Sequence, residues 1–163
     1  MKRGSTFFLK TAVIFMGIPV LALCIFLLPQ IATEAIEQVK MGSELAYIVF
    51  SILFLMYLSA IPFYIALYQA LRLLSYIDQN LAFSDLSVKS LKKIKKCAIT
   101  ISGFYVVNLP FVYIIAEWDD APGLILIGMV IIGASMVIAV FAAVLQRLLQ
   151  EAIHIKSEND LTV

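Results

Sequence analysis

Between Leu45 and Leu71 the chain runs for 27 residues without a charged side chain. Built as an α-helix at ~1.5 Å per residue, that run reaches roughly 40 Å, more than the ~30 Å hydrocarbon core of a bilayer. A segment in lipid must satisfy its own backbone N–H and C=O groups, which a single run achieves only as a helix. Residues 11–33, 97–116 and 124–146 are equally free of charge. Overall the 163 residues are 63% hydrophobic and 14% charged, with a mean hydropathy of +1.01. A water-soluble domain of this size has too much surface for its volume to hide that apolar content. The sequence therefore predicts an all-α integral membrane four-helix bundle, one domain over residues 1–163. The expected spans are about 11–31, 45–71, 97–116 and 122–146, with a loop at 72–96 and a tail at 147–163.

Charge distribution predicts the orientation. Six of the twelve Lys and Arg residues fall within residues 72–96. Placing both termini and that loop on one side gathers eleven of the twelve there and leaves only Lys40 opposite, among Glu34, Glu37, Glu44, Glu117, Asp119 and Asp120. The positive-inside rule then predicts cytoplasmic termini, N-in and C-in, at a bacterial plasma membrane.

The opening residues carry Lys2, Arg3 and Lys10 ahead of an apolar run, as a signal peptide does. The run is longer than a signal core of about 7–15 residues. Leu23 also stands where a lipoprotein box around Cys24 needs a small residue, so a retained first span is predicted. Pro19 is expected to kink it, and Pro29 to lie near its outer end. Residues 30–44 read as the first loop. The second helix, with Pro62 inside, continues on leucine spacing to about Ile77. Asp78-Gln79-Asn80 reads as a turn, with Ser84 or Asp85 as the next N-cap. From Asp85 the pattern is amphipathic, with Val88, Leu91 and Ile94 on one side and lysines on the other. This third helix contains Asn108 and Pro110 and ends near Trp118, a natural interfacial anchor. Ala121-Pro122-Gly123 reads as a tight turn into the fourth helix, whose periodicity persists to Lys156 before a short polar tail at 157–163. Helices 2, 3 and 4 are thus expected to extend into the cytoplasm, each with an apolar stripe that needs cover from one another or from a partner.

Few residues bear on chemistry. Lys89, Lys92, Lys93 and Lys96 are candidate contacts for anionic lipid head groups, at ~1 kcal/mol each, or for an acidic partner. Asn108 is the candidate intramembrane polar site. It either bonds a neighbouring helix, at ~0.6 kcal/mol on average, or lines a permeation path. Gly128, Ser135, Ala139 and Ala142 share one face of the fourth helix, a composition suited to close helix packing or to a homo-oligomer contact. No span contains an acidic or basic residue, which disfavours ion-coupled transport. His154 has no ligand cluster beside it, and Cys24 and Cys97 are placed half a bilayer apart, too far for a disulfide. With no phosphate loop or nucleophile–base pairing, neither an enzyme nor a cofactor is expected. Direct nucleic-acid binding is not expected either.

Three stretches carry a family resemblance: Met1-Lys2-Arg3-Gly4-Ser5-Thr6; Leu73-Leu74-Ser75-Tyr76-Ile77-Asp78 with Ala82-Phe83-Ser84; and Glu158-Asn159-Asp160-Leu161-Thr162-Val163. In these words the chain resembles the YoaS-like family of small bacterial membrane proteins, a domain of unknown function (DUF2975), along its whole length. The resemblance implies a four-span protein of a Gram-positive plasma membrane. Such proteins are often encoded beside a small helix-turn-helix regulator, which implies a membrane-bound partner for a transcription factor. The alternative reading is a small transporter, or an immunity protein against a membrane-active peptide.

Overall fold

The computed structural model describes residues 3–162; Met1, Lys2 and Val163 lie outside the described residues, and with them the first N-terminal cation. Helix α1 (Arg3–Ala22) passes through a π-helical turn (Leu23–Leu27) into α2 (Leu28–Lys40), and α3 (Leu45–Asp78), α4 (Asp85–Trp118) and α5 (Gly123–Leu161) follow. The first two helices and the turn form one rod of 38 residues. There are thus four rods long and apolar enough to cross a membrane.

All three connections end their helices alike. At Gly42, Asn80 and Asp120 the backbone enters the left-handed region, with φ of 82°, 61° and 50°. The next N–H reaches back five residues, Ser43 to Gln38, Leu81 to Tyr76 and Ala121 to Ala116, at 3.1, 2.7 and 2.9 Å. This is the Schellman closure, which satisfies carbonyls the helix end would orphan. Gly, Asn and Asp are the residues that tolerate such a backbone.

Two expected boundaries move. Residues 30–40, read as loop, are helical, so the first connection shrinks to 41–44. Leu28 and Ala35, two turns apart on α2, are buried, so this segment packs on α3 instead of floating free. Lys40 in its last turn suits the negative end of the helix dipole. Residues 157–161, read as polar tail, continue α5, where Glu158 faces His154 one turn back at 3.7 Å.

The extensive contacts join successive rods, α3 with α4 and α4 with α5, while the first rod packs more sparsely on α3. Small residues line the seams: Ala46, Ser59, Ser87, Ser90, Ala98, Ser102, Ala116, Gly128, Ser135, Ala139 and Ala142 are buried. Large side chains such as Phe15, Phe54 and Phe141 point outward. That inversion of a water-soluble core is what lipid favours, because helices gain nothing by hiding leucine from hydrocarbon but gain contact when backbones approach.

The π-helical turn has a local cause. Leu28 N–H bonds the Leu23 carbonyl, five residues back, so the Cys24 carbonyl faces Pro29, which has no N–H. Tyr57 of α3 donates its hydroxyl to that oxygen at 2.8 Å. A neighbouring helix thus supplies the hydrogen bond that the proline withholds.

Candidate functional site

Antiparallel succession brings the start of α1, the end of α3, the 79–84 loop, the start of α4 and the end of α5 to one end of the molecule, here called the lysine-rich end. Beyond the uncharged runs, α3, α4 and α5 project there by roughly 10, 18 and 22 Å. On α4, Lys89, Lys92, Lys93 and Lys96 are exposed and Lys95 is half-buried. The opposite edge buries Ser87, Ser90 and Leu91, with Val88 and Ile94 half-buried. The two serines escaped the apolar pattern because it scores them as polar, whereas their small size is what admits a neighbouring helix.

Ser87 also donates its hydroxyl to the Leu81 carbonyl at 3.1 Å, and Ser84 bonds the same oxygen, which ties the 79–84 loop to the first turn of α4. Ser84 occupies the N-cap position with an extended backbone, but its side chain is spent on Leu81 and does not cap the helix. The loop holds Phe83 out beside α5. There an open groove of about 510 Å³ is lined by Phe83, Ala152, Ile155, Lys156 and Asn159. Phe83 is 61% exposed and Ile155 66%, so the projecting helices do not fill this surface themselves. The groove joins residues about 70 apart in sequence, which no periodicity reveals.

A second contact ties the N-terminus to this end. Lys10 Nζ donates to Asp78 Oδ2 at 2.8 Å, with both side chains partly buried. The Lys10 ammonium holds the Asp78 carboxyl below its ordinary range, with smaller help from the Arg3 charge. Thr6 is fully buried, and among the described residues neither its Oγ1 nor Asp78 Oδ1 has a hydrogen-bond partner. Further along α5, Arg147–Glu151 at 3.8 Å and His154–Glu158 are exposed i,i+4 pairs, each worth little.

Within the spans, Asn108 is buried and its Oδ1 accepts no hydrogen bond. Neither the groove at Phe83 nor an apolar one between α1 and α3 is lined by Asn108. Gln69 is buried as well, a polar side chain the sequence reading passed over because it sits two residues inside the end of its uncharged run. On α5 the buried residues are Gly128, Ser135, Ala139 and Ala142. A Cβ on Gly128 would lie 3.1 Å from Leu109 of α4, so this face is occupied within the chain and a second copy would have to use another. Cys24 and Cys97 are unpaired. Among the described residues, no three His, Cys, Asp or Glu side chains are grouped so as to hold a metal ion.

Comparison with known proteins agrees with this picture. Residues 33–163 match the family described as "Protein of unknown function (DUF2975)". Over its full 163 residues the chain is 62% identical to the "Uncharacterized membrane protein YoaS" of Bacillus subtilis (strain 168), covering 100% of both. No solved structure matches it. Four apolar rods and these two similarities lead to one conclusion: the chain is a bacterial multi-pass membrane protein and belongs to the DUF2975 family.

Proposed function

We propose that this protein is a non-enzymatic docking platform whose lysine-rich end faces the cytoplasm and holds a small helix-turn-helix regulator at the membrane. One observation carries the reading: an open groove that Phe83 of the 79–84 loop forms with Ile155 and Lys156 of α5, at the same end of the molecule as the exposed Lys89, Lys92 and Lys93. Exposed apolar surface rimmed by charge is the composition of a protein contact. The choice of regulator rests on the family resemblance, and the orientation on the cation count. In this reading the lysines serve twice, on anionic head groups and beside the partner. The platform touches no DNA itself.

Two experiments test it. A fluorescent protein fused after Val163 folds and fluoresces in cells if the C-terminus is cytoplasmic; a dark fusion with intact insertion refutes the orientation. A small helix-turn-helix regulator of the kind the family resemblance implies, co-expressed from the same locus, should co-purify with the detergent-solubilised protein and be lost on Phe83→Ser with Ile155→Ser. Absence of co-purification from wild type sinks the docking reading.

The buried, unpartnered Oδ1 of Asn108 favours a second reading, a small transporter or an immunity protein against a membrane-active peptide. Asn108→Leu separates the two: it abolishes solute flux or peptide protection in this reading, and leaves regulator binding intact in the first.

A further inference from the structure

The first rod and α3 enclose an apolar groove of about 330 Å³ between residues 13–21 and residues 64–71. Gly17 and Leu67 meet within it; a Cβ on Gly17 would lie 3.1 Å from the Leu67 side chain. Ile14, Ile18 and Tyr68 line it and are each more than half exposed. The Tyr64 hydroxyl donates to the Gly17 carbonyl at 3.0 Å, so these two polar groups of the groove are spent on each other. Along the helices the groove runs roughly 10–12 Å, most of the ~15 Å half-thickness of a hydrocarbon core.

Arg72 stands at its lysine-rich mouth, one turn beyond Tyr68. Its guanidinium carbon lies 5.8 Å from the Tyr68 ring centre and 5.7 Å from that of Tyr76, and one of its N–H groups donates to the Tyr76 hydroxyl at 2.7 Å. Among the described residues no carboxylate lies within 4.0 Å of it. The exposed lysines of α4 are long and mobile and attract anions diffusely. Arg72 is half-buried and held between two rings, with its remaining N–H groups unpaired by carboxylate. A planar, pre-oriented guanidinium of this kind suits a phosphate.

We propose that this groove binds one anionic phospholipid of the leaflet at the lysine-rich end, an acyl chain lying along Ile14, Ile18 and Tyr68 and the phosphate on Arg72. The site is independent of the regulator groove, which lies on the far side of the chain order, between the 79–84 loop and α5.

Graded delipidation of the full-length protein, purified from nanodiscs of equal phosphatidylglycerol and phosphatidylcholine, tests the assignment by native mass spectrometry. Wild type should retain about one phosphatidylglycerol per chain in preference to phosphatidylcholine. Arg72→Gln should lower that retention by roughly fivefold, the size of one cation's attraction for an anionic membrane. Arg72→Lys should keep part of it, and Ile18→Trp should lower retention of both lipids by filling the groove. Arg147→Gln, which removes an exposed cation at the same end but on α5 and beside Glu151, should leave retention unchanged. Equal retention of the two lipids by wild type, unchanged retention in Arg72→Gln, or an equal loss in Arg147→Gln would each overturn the proposal.

Discussion

Removing the Tyr57 hydroxyl tests the account of the π-helical turn. In Tyr57→Phe the Cys24 carbonyl, bonded at 2.8 Å in wild type, keeps no donor, because Pro29 has no N–H to offer. Interhelical hydrogen bonds in lipid average ~0.6 kcal/mol and reach ~1.7, and an orphaned carbonyl at mid-span belongs at the upper part of that range. The expected loss is about 1 kcal/mol. Pro29→Ala restores the N–H and lets the rod return to α-helical bonding, so Leu28 can serve Cys24 directly. In the Pro29→Ala background, Tyr57→Phe should then cost close to nothing, and the double-mutant cycle should return a coupling of about 1 kcal/mol. Reversible unfolding of all four proteins in mixed micelles of increasing SDS fraction measures the quantities. Equal costs of Tyr57→Phe in both backgrounds would refute the reasoning, because they would mean that the tyrosine acts by packing alone.

Three further outcomes follow from the same geometry. The Asp78 carboxyl is held below its ordinary range by Lys10, so its contribution is complete above the unfolded carboxylate pKa of ~4 and is lost as pH falls through the lower folded value; unfolding midpoints across that acid window should slope in wild type and flatten in Asp78→Asn. Gly42→Ala should cost about 1 kcal/mol by the same unfolding assay, since its φ of 82° disfavours a Cβ and open space around it leaves no steric term. Gly128→Leu should destabilise by about 1–3 kcal/mol, because its side chain must displace Leu109 from the α4 seam; an unchanged midpoint would show the seam to be loose.

Much of this architecture is written along the chain. Charge-free runs at least as long as the hydrocarbon core is thick make lipid the solvent and fix four rods, and Asn80 and Pro122 fall in two of the connections between them. These are properties of contiguous residues, set by the cost of placing a charge or an open backbone in hydrocarbon. Helix ends were less legible where polar composition imitates a loop: residues 30–40 and 157–161 remain helical because Ala35 packs on α3 and because helical backbone closes its own hydrogen bonds whatever its side chains. Tertiary structure alone decided the rest. Tyr57 meets Cys24 across 33 residues and Lys10 meets Asp78 across 68. The groove at Phe83 and Ile155, and the one at Arg72, exist only because successive rods lie antiparallel. Period and composition report which face of a helix is oily, but in lipid nearly every face is. Which faces meet is decided by where small residues let two backbones approach, and that depends on pairs of positions the sequence keeps far apart.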